Sequence, residues 1–469
     1  MKPRANPPDL DDIKEFDLIV IGSGAGLEVA SAAAQSGLKV AIVEKSSMGG
    51  TCLNTGCIPS KLLLHSADVV EIIKSSNLFG INVEKFSIDF QKIVERVTSI
   101  IDSDSNDIRK SLDNSENPRL FASECKFIDD KVLLVGEEKI SSSGILIAAG
   151  TRPRIPNIKG LNTTNYVTSD EALRLREQPK VLTIIGGGYI AAELGHFFGS
   201  LGTKINIIHH GSYLLPKEDE EISKKFTEVF SKKYNLYLDR TPDLVTKKNG
   251  KFVVSFKASD ANNYQEIESD QLLIAAGRVS NSDSLDLPKT GVEVSDDGYI
   301  KVDETLTTNI DGIFALGDII GRHQFRHSAN LEAQYAFYNI VNSKKKIKVD
   351  YSAMPHAIFS SPQVAGVGYK EQELKASGKM DYHKSIYRYI DTAMGKALED
   401  KDGFVKFLIS KKDRKILGCH IIGSQASILI HEVLVAIKSG DGSIDNISKT
   451  VHVHPALSEV VSRAAITML

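Results

Sequence analysis

Phe16-Asp17-Leu18-Ile19-Val20-Ile21-Gly22-Ser23-Gly24-Ala25-Gly26 is the stretch on which the fold turns. A mostly apolar run of strand length ends in closely spaced glycines. Small, helix-forming residues continue through Ala34, and a second apolar run, Lys39 to Val43, stops at Glu44. Strand, glycine turn, helix, strand is a βαβ unit. A dinucleotide needs such a turn: tight, open to close backbone approach, and leading into a helix N-terminus whose N–H groups face the phosphates. Gly22 and Gly24 meet the first two demands, and position 27, where a third glycine would fall, is Leu27. Glu44 stands about twenty residues on, where a carboxylate can accept from a ribose diol. The expectation is a bound adenine dinucleotide; the alternative is a strand-to-helix turn without a ligand.

The pattern returns at Val181-Leu182-Thr183-Ile184-Ile185, Gly186-Gly187-Gly188, a helix, and Lys204 to Ile208. Its third fingerprint position is Ala191, a substitution that this packing site tolerates. Two units of this kind imply two nucleotide-binding domains. Apolar runs ending in Gly150 and Gly277 close the two units, and helices are expected over roughly 61–75 and 90–112. After Tyr351 the texture changes to strands mixed with helices, without a glycine fingerprint. The reading is α/β: two Rossmann-like domains followed by a C-terminal α+β domain, with boundaries near 155, 280 and 350. Residues 1–15, polar and carrying Pro3, Pro7 and Pro8, read as a loose tail without the apolar core of a secretory signal.

Composition narrows the function. The 469 residues include 57 basic and 60 acidic side chains, a net charge of −3, so no general field draws in nucleic acid or an anionic membrane surface. No run approaches the ~18–20 apolar residues of a spanning helix. Four cysteines are too few for a disulfide scaffold. A cytoplasmic, reducing compartment is therefore expected, where a close cysteine pair is catalytic or metal-binding more often than structural.

That pair lies in Gly49-Gly50-Thr51-Cys52-Leu53-Asn54-Thr55-Gly56-Cys57-Ile58-Pro59-Ser60-Lys61. On a regular helix such cysteines have Cα atoms roughly 8–9 Å apart, beyond the ~7 Å limit of a disulfide. Gly56 and its polar neighbours would let the turn distort and bring the sulfurs together. Zinc half-sites use shorter spacings and a second Cys/His pair, which is missing, so no metal is expected. Cys125 and Cys419 stand alone and read as buried small hydrophobes.

Glycine turn, C-x-x-x-x-C segment, second glycine turn and the near-terminal Val453-His454-Pro455-Ala456-Leu457-Ser458-Glu459 together resemble the pyridine nucleotide-disulfide oxidoreductases. The resemblance covers nearly the whole chain beyond the tail. It implies a homodimer with a shared active site, in which 16–155 and 281–350 form an FAD domain, 156–280 an NAD(P) domain and 351–469 an interface domain. Cys52 then matches the sulfur that exchanges with substrate, and Cys57 the one that touches FAD. Gly22, Gly24, Glu44, Thr51, Gly150, Asp318 and His327 match FAD-side positions, with Asp318 on the ribityl chain. Lys61 resembles the lysine near the flavin's redox edge and Glu193 its acidic partner beside the nicotinamide. Gly186, Gly188, His209 and Gly277 fall in the nicotinamide dinucleotide site. Proton balance in thiol–disulfide exchange calls for a base, which is His454, oriented by Glu459 and serving the other subunit. His452 is expected to be structural.

The expected reaction is oxidation of dihydrolipoamide by NAD, with a small dithiol or the lipoyl domain of a 2-oxoacid dehydrogenase or glycine-cleavage complex as partner. Glutathione reductases carry arginine on the first helix, whereas this chain has Ala30-Ser31-Ala32-Ala33-Ala34. An NADPH-dependent reductase of a low-molecular-weight thiol disulfide is the alternative, since Gly188 to Glu193 looks more like mycothione reductase. A non-catalytic flavoprotein subunit is the reading from another class. The strand Lys204 to Ile208 ends in His209-His210, with neither the acid of an NAD site nor the arginine of an NADP site. Protonated imidazole there would pair with a 2′-phosphate, so NADPH is expected to serve at least as well as NADH, increasingly at acid pH.

Overall fold

The computed structural model describes residues 13–257 and 264–467. These form two compact units, one drawn from residues 13–59, 98–152 and 278–349, the other from residues 60–97, 153–257, 264–277 and 350–467. Residues 60–97, expected within the FAD domain, thus group with the second unit.

In the first unit, strands β1 (Ile13–Ile21), β2 (Val40–Val43), β3 (Arg119–Phe121), β4 (Cys125–Asp129), β5 (Val132–Val135) and β6 (Glu138–Ile147) form one sheet in the order β3-β2-β1-β6-β5-β4. The strand Ile313–Ala315 pairs in parallel with the last residues of β6. Leu18, Ile19 and Val20 have no exposed surface, as expected of a parallel strand covered on both faces. β2 and β6 flank β1 on opposite sides, so the glycine turn after β1 opens at the point where the strand order reverses, where such sheets bind ligands. The expected tail ends earlier than 15. Ile13, Lys14 and Glu15 already pair with Lys139, Ile140 and Ser141 of β6, a distant partnership that local polarity does not reveal; the rest of the tail lies outside the described residues.

Helices α1 (Gly26–Gln35), α2 (Gly50–Asn54), α3 (Cys57–Ser75) and α4 (Phe90–Asp113) follow in order. In the second unit Asn235–Tyr237, Lys204–Ile208, Val181–Ile185 and Gln271–Ile274 make a parallel sheet. A five-stranded antiparallel sheet follows, in the order Pro355–Ile358, Gln363–Gly368, Ile416–Gly423, Phe404–Ser410, Tyr382–Arg388. Inside this unit Lys406, with no exposed surface, bonds Asp219 at 2.8 Å and Glu371 at 2.7 Å. Asp219 also caps the helix Glu220–Lys233 and accepts from the Glu371 N–H at 3.0 Å. No described helix is long and apolar enough to cross a membrane.

Candidate active site

The turn after β1 has the shape of a phosphate cradle. Gly22 has φ +105°, and a Cβ there would stand 2.4 Å from the Ala148 carbonyl oxygen. Gly50, at φ +64°, lies so close that its Cβ would meet Gly24 Cα at 2.8 Å. The loop carrying the cysteines is therefore laid directly on the Gly24 turn. The packing role sought at position 27 falls to Gly26, whose Cβ would come within 2.8 Å of Val20 Cγ1. Leu27 thus leaves the fingerprint intact.

Glu44 sits beside this turn and is buried. Its Oε2 accepts from the Ser23 N–H and hydroxyl, and its Oε1 from those of Ser46, all at 2.8–2.9 Å. Ser23, which sequence reading passed over, also accepts from the Gly49 N–H at 3.0 Å and so ties the turn to the cysteine loop. Asp318, second residue of the short helix Gly317–Ile320, accepts from Thr151 Oγ1 at 2.9 Å. Burial pushes its carboxyl above the usual range, against the opposing pull of Arg278. Arg278 is a further residue the sequence did not flag: its Nε donates to Thr151 Oγ1 and its Nη2 to the Thr151 carbonyl, both at 2.8 Å. Gly150, with φ +66°, precedes Thr151. The glycine cradle, the buried Glu44 carboxylate and the Asp318 carboxyl fit FAD. His327 is exposed near the start of the helix Arg326–Val341, its ring stacked on Phe325 at 5.4 Å.

Cys52 lies in α2, half-buried, and Cys57 begins α3, exposed. The two are not on one regular helix. The chain breaks at Thr55 and Gly56, where Gly56 packs so tightly that a Cβ would lie 2.9 Å from the Thr51 carbonyl oxygen. Asn54 braces the loop by donating to the Met48 and Gly50 carbonyls at 2.8 and 3.0 Å. Thr51 is exposed in α2. Of the other cysteines, Cys419 is fully buried in an apolar core, and burial pushes half-buried Cys125 up to about 12.

In the second unit Lys61 meets both Glu193 oxygens at 2.8 and 2.9 Å. Glu193, 6% exposed, also accepts from the Phe359 N–H at 3.0 Å, and the Lys61 ammonium stands 4.7 Å over the Phe359 ring. Phe359 thus touches both ends of the pair, and no sequence signal pointed to it. Gly186, at φ +129°, would drive a Cβ to 2.1 Å from the Ala275 carbonyl. Gly188 leads into the helix Tyr189–Ser200, where Ala191 is buried. Gly277 has φ +106° at the end of the neighbouring segment.

His209 corrects an expectation. It is 3% exposed, and its ring lies against Gly187, whose Cβ would stand 2.5 Å from His209 Cγ. Burial, then repulsion from His210, pushes it down to about 4. The neutral ring is thus favoured near pH 6, against the protonated imidazole expected to pair with a 2′-phosphate. Local sequence gave no warning, because the desolvation comes from the turn Gly186–Gly188 folding over the ring.

Near the C-terminus His454 Nδ1 meets Glu459 Oε1 at 3.0 Å, and the Ala456 N–H reaches Glu459 Oε2 at 3.3 Å. The His454 contact holds Glu459 below the usual carboxylate range. His454 is 70% exposed at its side chain while Glu459 is 10% exposed, leaving one ring edge outward. His452 is committed internally, to the Thr450 carbonyl and Glu432.

Fold and site define a flavin-dependent disulfide oxidoreductase. The chain belongs to the pyridine nucleotide-disulphide oxidoreductases: the family's pattern matches residues 16–333, and that of its dimerisation domain matches 354–465. Mycothione reductase of Mycobacterium tuberculosis is 34% identical, with 96% of this chain and 99% of that protein covered. Dihydrolipoyl dehydrogenase of Bacillus subtilis is also 34% identical, over 96% of each. The structure of the HOCl-induced flavoprotein disulfide reductase RclA from Escherichia coli matches with a TM-score of 0.86 at 26% identity, covering 97% of this chain and 100% of RclA. As a member the protein is an enzyme that uses FAD and NAD(P)H, and its dimerisation domain makes it a homodimer.

Proposed function

We propose that the protein is a dihydrolipoamide dehydrogenase, oxidising dihydrolipoamide to lipoamide with NAD⁺ as acceptor. The observation carrying this is that α1, Gly26–Gln35, carries no basic residue. Ile58, beside Cys57, is 40% exposed, and α1 offers Ser31, Ala32 and Ala34 where glutathione-type relatives carry arginine. A lipoyl arm has no charge to satisfy there, whereas glutathione's carboxylates would be left without partners.

FAD, when bound, relays two electrons between the nicotinamide and the cysteine pair. A substrate thiolate attacks Cys52; the Cys52–Cys57 bond breaks, and Cys57 leaves as a thiolate at the N-terminus of α3, where negative charge is favoured. His454, held in one tautomer by Glu459, takes the proton of the second substrate thiol. That sulfur then attacks the mixed disulfide and expels Cys52, closing the lipoamide ring. The two electrons left on the cysteine pair reach NAD⁺ as a hydride equivalent, one proton is released, and the Cys52–Cys57 bond re-forms. The Lys61–Glu193 pair fixes a positive charge four residues along α3 from Cys57. A lipoyl domain is the macromolecular form of this substrate.

A second reading, an NADPH-dependent reductase of a low-molecular-weight thiol disulfide, is favoured by one feature. His209, without a carboxylate, stands where an NAD site repels the 2′-phosphate. Steady-state turnover of lipoamide, glutathione, mycothiol and coenzyme A disulfides with each nucleotide separates the two. The proposal expects lipoamide to lead in kcat/KM by about tenfold or more; a lead for mycothiol disulfide with NADPH overturns it.

A further inference from the structure

We propose that Arg326 is a ligand of the FAD diphosphate, aimed by Glu28. Arg326 is the first residue of the helix Arg326–Val341, whose N-terminus no side chain caps. Its Nη2 donates to Glu28 Oε1 at 2.7 Å, and Glu28 stands in the first turn of α1. Its Nη1 lies 3.8 Å from where a Cβ on Gly24 would be. The two ends of the guanidinium are thus assigned differently: Glu28 anchors one, and the other faces the diphosphate turn.

Charge explains the need. A diphosphate against the N-terminus of α1 meets a favourable dipole, but Glu28 places a like charge in the same first turn. Arg326 cancels that charge and still has donors left, because a guanidinium carries five N–H groups in a fixed fork. At 29% exposure the side chain is shielded from full solvent competition. Its bond to diphosphate would then carry the strength of a charge-assisted pair.

The inference rests on FAD being the cofactor, and the test separates the two. FAD release from the full-length holoenzyme on serial dilution is followed by the recovery of flavin fluorescence, and apoprotein melting is measured alongside. Wild type purified without FAD would contradict the cofactor assignment itself. Arg326→Ala is expected to raise the FAD Kd by roughly 10- to 100-fold, the range for losing a hydrogen bond to a charged group. Arg326→Lys should recover part of that loss, and the apoprotein melting temperature should stay near wild type. In a Glu28→Gln background, which keeps an oxygen for Nη2, Arg326→Ala should still weaken FAD by about tenfold or more. If that second loss disappears, Arg326 serves only as the counter-charge of Glu28. If instead apoprotein and holoprotein melting fall equally with FAD affinity unchanged, it only joins the two helices. Either result overturns the proposal.

Discussion

His209 and His454 are both histidines in nucleotide or redox surroundings, yet their environments assign them opposite behaviour. His209 is folded under Gly187, with His210, Asp239 and the Tyr213 backbone as its electrostatic neighbours, and lies at about 4. A depressed histidine loses its charge as the pH rises past that value, so the neutral ring is expected to dominate from pH 5.5 to 8.5. The ratio of kcat/KM for NADPH and NADH should therefore follow the same pH course in wild type and His209→Gln. Profiles that part below pH 6.5 would show the ring carrying charge after all. His454 has one ring nitrogen on Glu459 and an exposed side chain, the arrangement of an oriented base. In His454→Ala, reduction of the flavin by nicotinamide should stay within a few-fold, while disulfide exchange falls by roughly 10²–10⁴. Equal losses in both half-reactions, separated by stopped-flow, would make His454 structural.

At the scale of elements, the break between α2 and α3 decides what the cysteines can do. A continuous helix would hold their Cα atoms too far apart for a disulfide; the turn at Thr55 and Gly56 removes that constraint. It also leaves the cysteines in different settings, Cys52 half-buried on α2 and Cys57 exposed at the head of α3. Cys57→Ser should abolish the long-wavelength absorbance that appears on two-electron reduction, since that band needs a thiolate against the flavin. Cys52→Ser should keep a band and lose disulfide turnover. The reverse pattern in anaerobic titrations would exchange the two roles. Much of this was legible beforehand: the cysteine spacing, Gly56 and the strands Val181–Ile185 and Lys204–Ile208 follow from local pattern, and the structure has those strands at the same residues. Phe359 was not legible, because it reaches Glu193 through its backbone N–H, which every residue but proline possesses.

Across the larger unit, the buried Lys406 cluster joins the parallel-sheet half to the antiparallel half. Lys406→Met would leave Asp219 buried without its cation and Glu371 with only Lys375 and Lys384, a change that costs about 3–5 kcal/mol. Denaturant unfolding at pH 7 should register it. The pH dependence has a definite sign. Burial opposes ionisation of Glu371, but Lys406, Lys375 and Lys384 together outweigh it and hold the carboxyl down to about 2, below the ordinary carboxylate value of 4.5. A lowered carboxylate stabilises the fold above its unfolded value, and that contribution is lost as pH falls from 4.5 toward 2. The stability gap between wild type and Glu371→Gln should thus be full at pH 7 and shrink through that window. A gap independent of pH would show that the charge of Glu371 does not matter.

Local pattern in the chain is enough for the succession of βαβ units, the two dinucleotide turns, the cysteine segment and the terminal His454–Glu459 motif. These are local: glycine spacing, apolar period and five-residue motifs act through neighbours in the chain, whose geometry is nearly independent of the rest. Distant contacts alone make Ile13–Glu15 a strand, pack Gly26 where position 27 was expected, bring Phe359 to the Lys61–Glu193 pair and favour the neutral ring of His209. Each depends on atoms distant in sequence or on how much water the fold removes. Desolvation sets charge state, and it is fixed by what covers a residue, which local sequence does not specify.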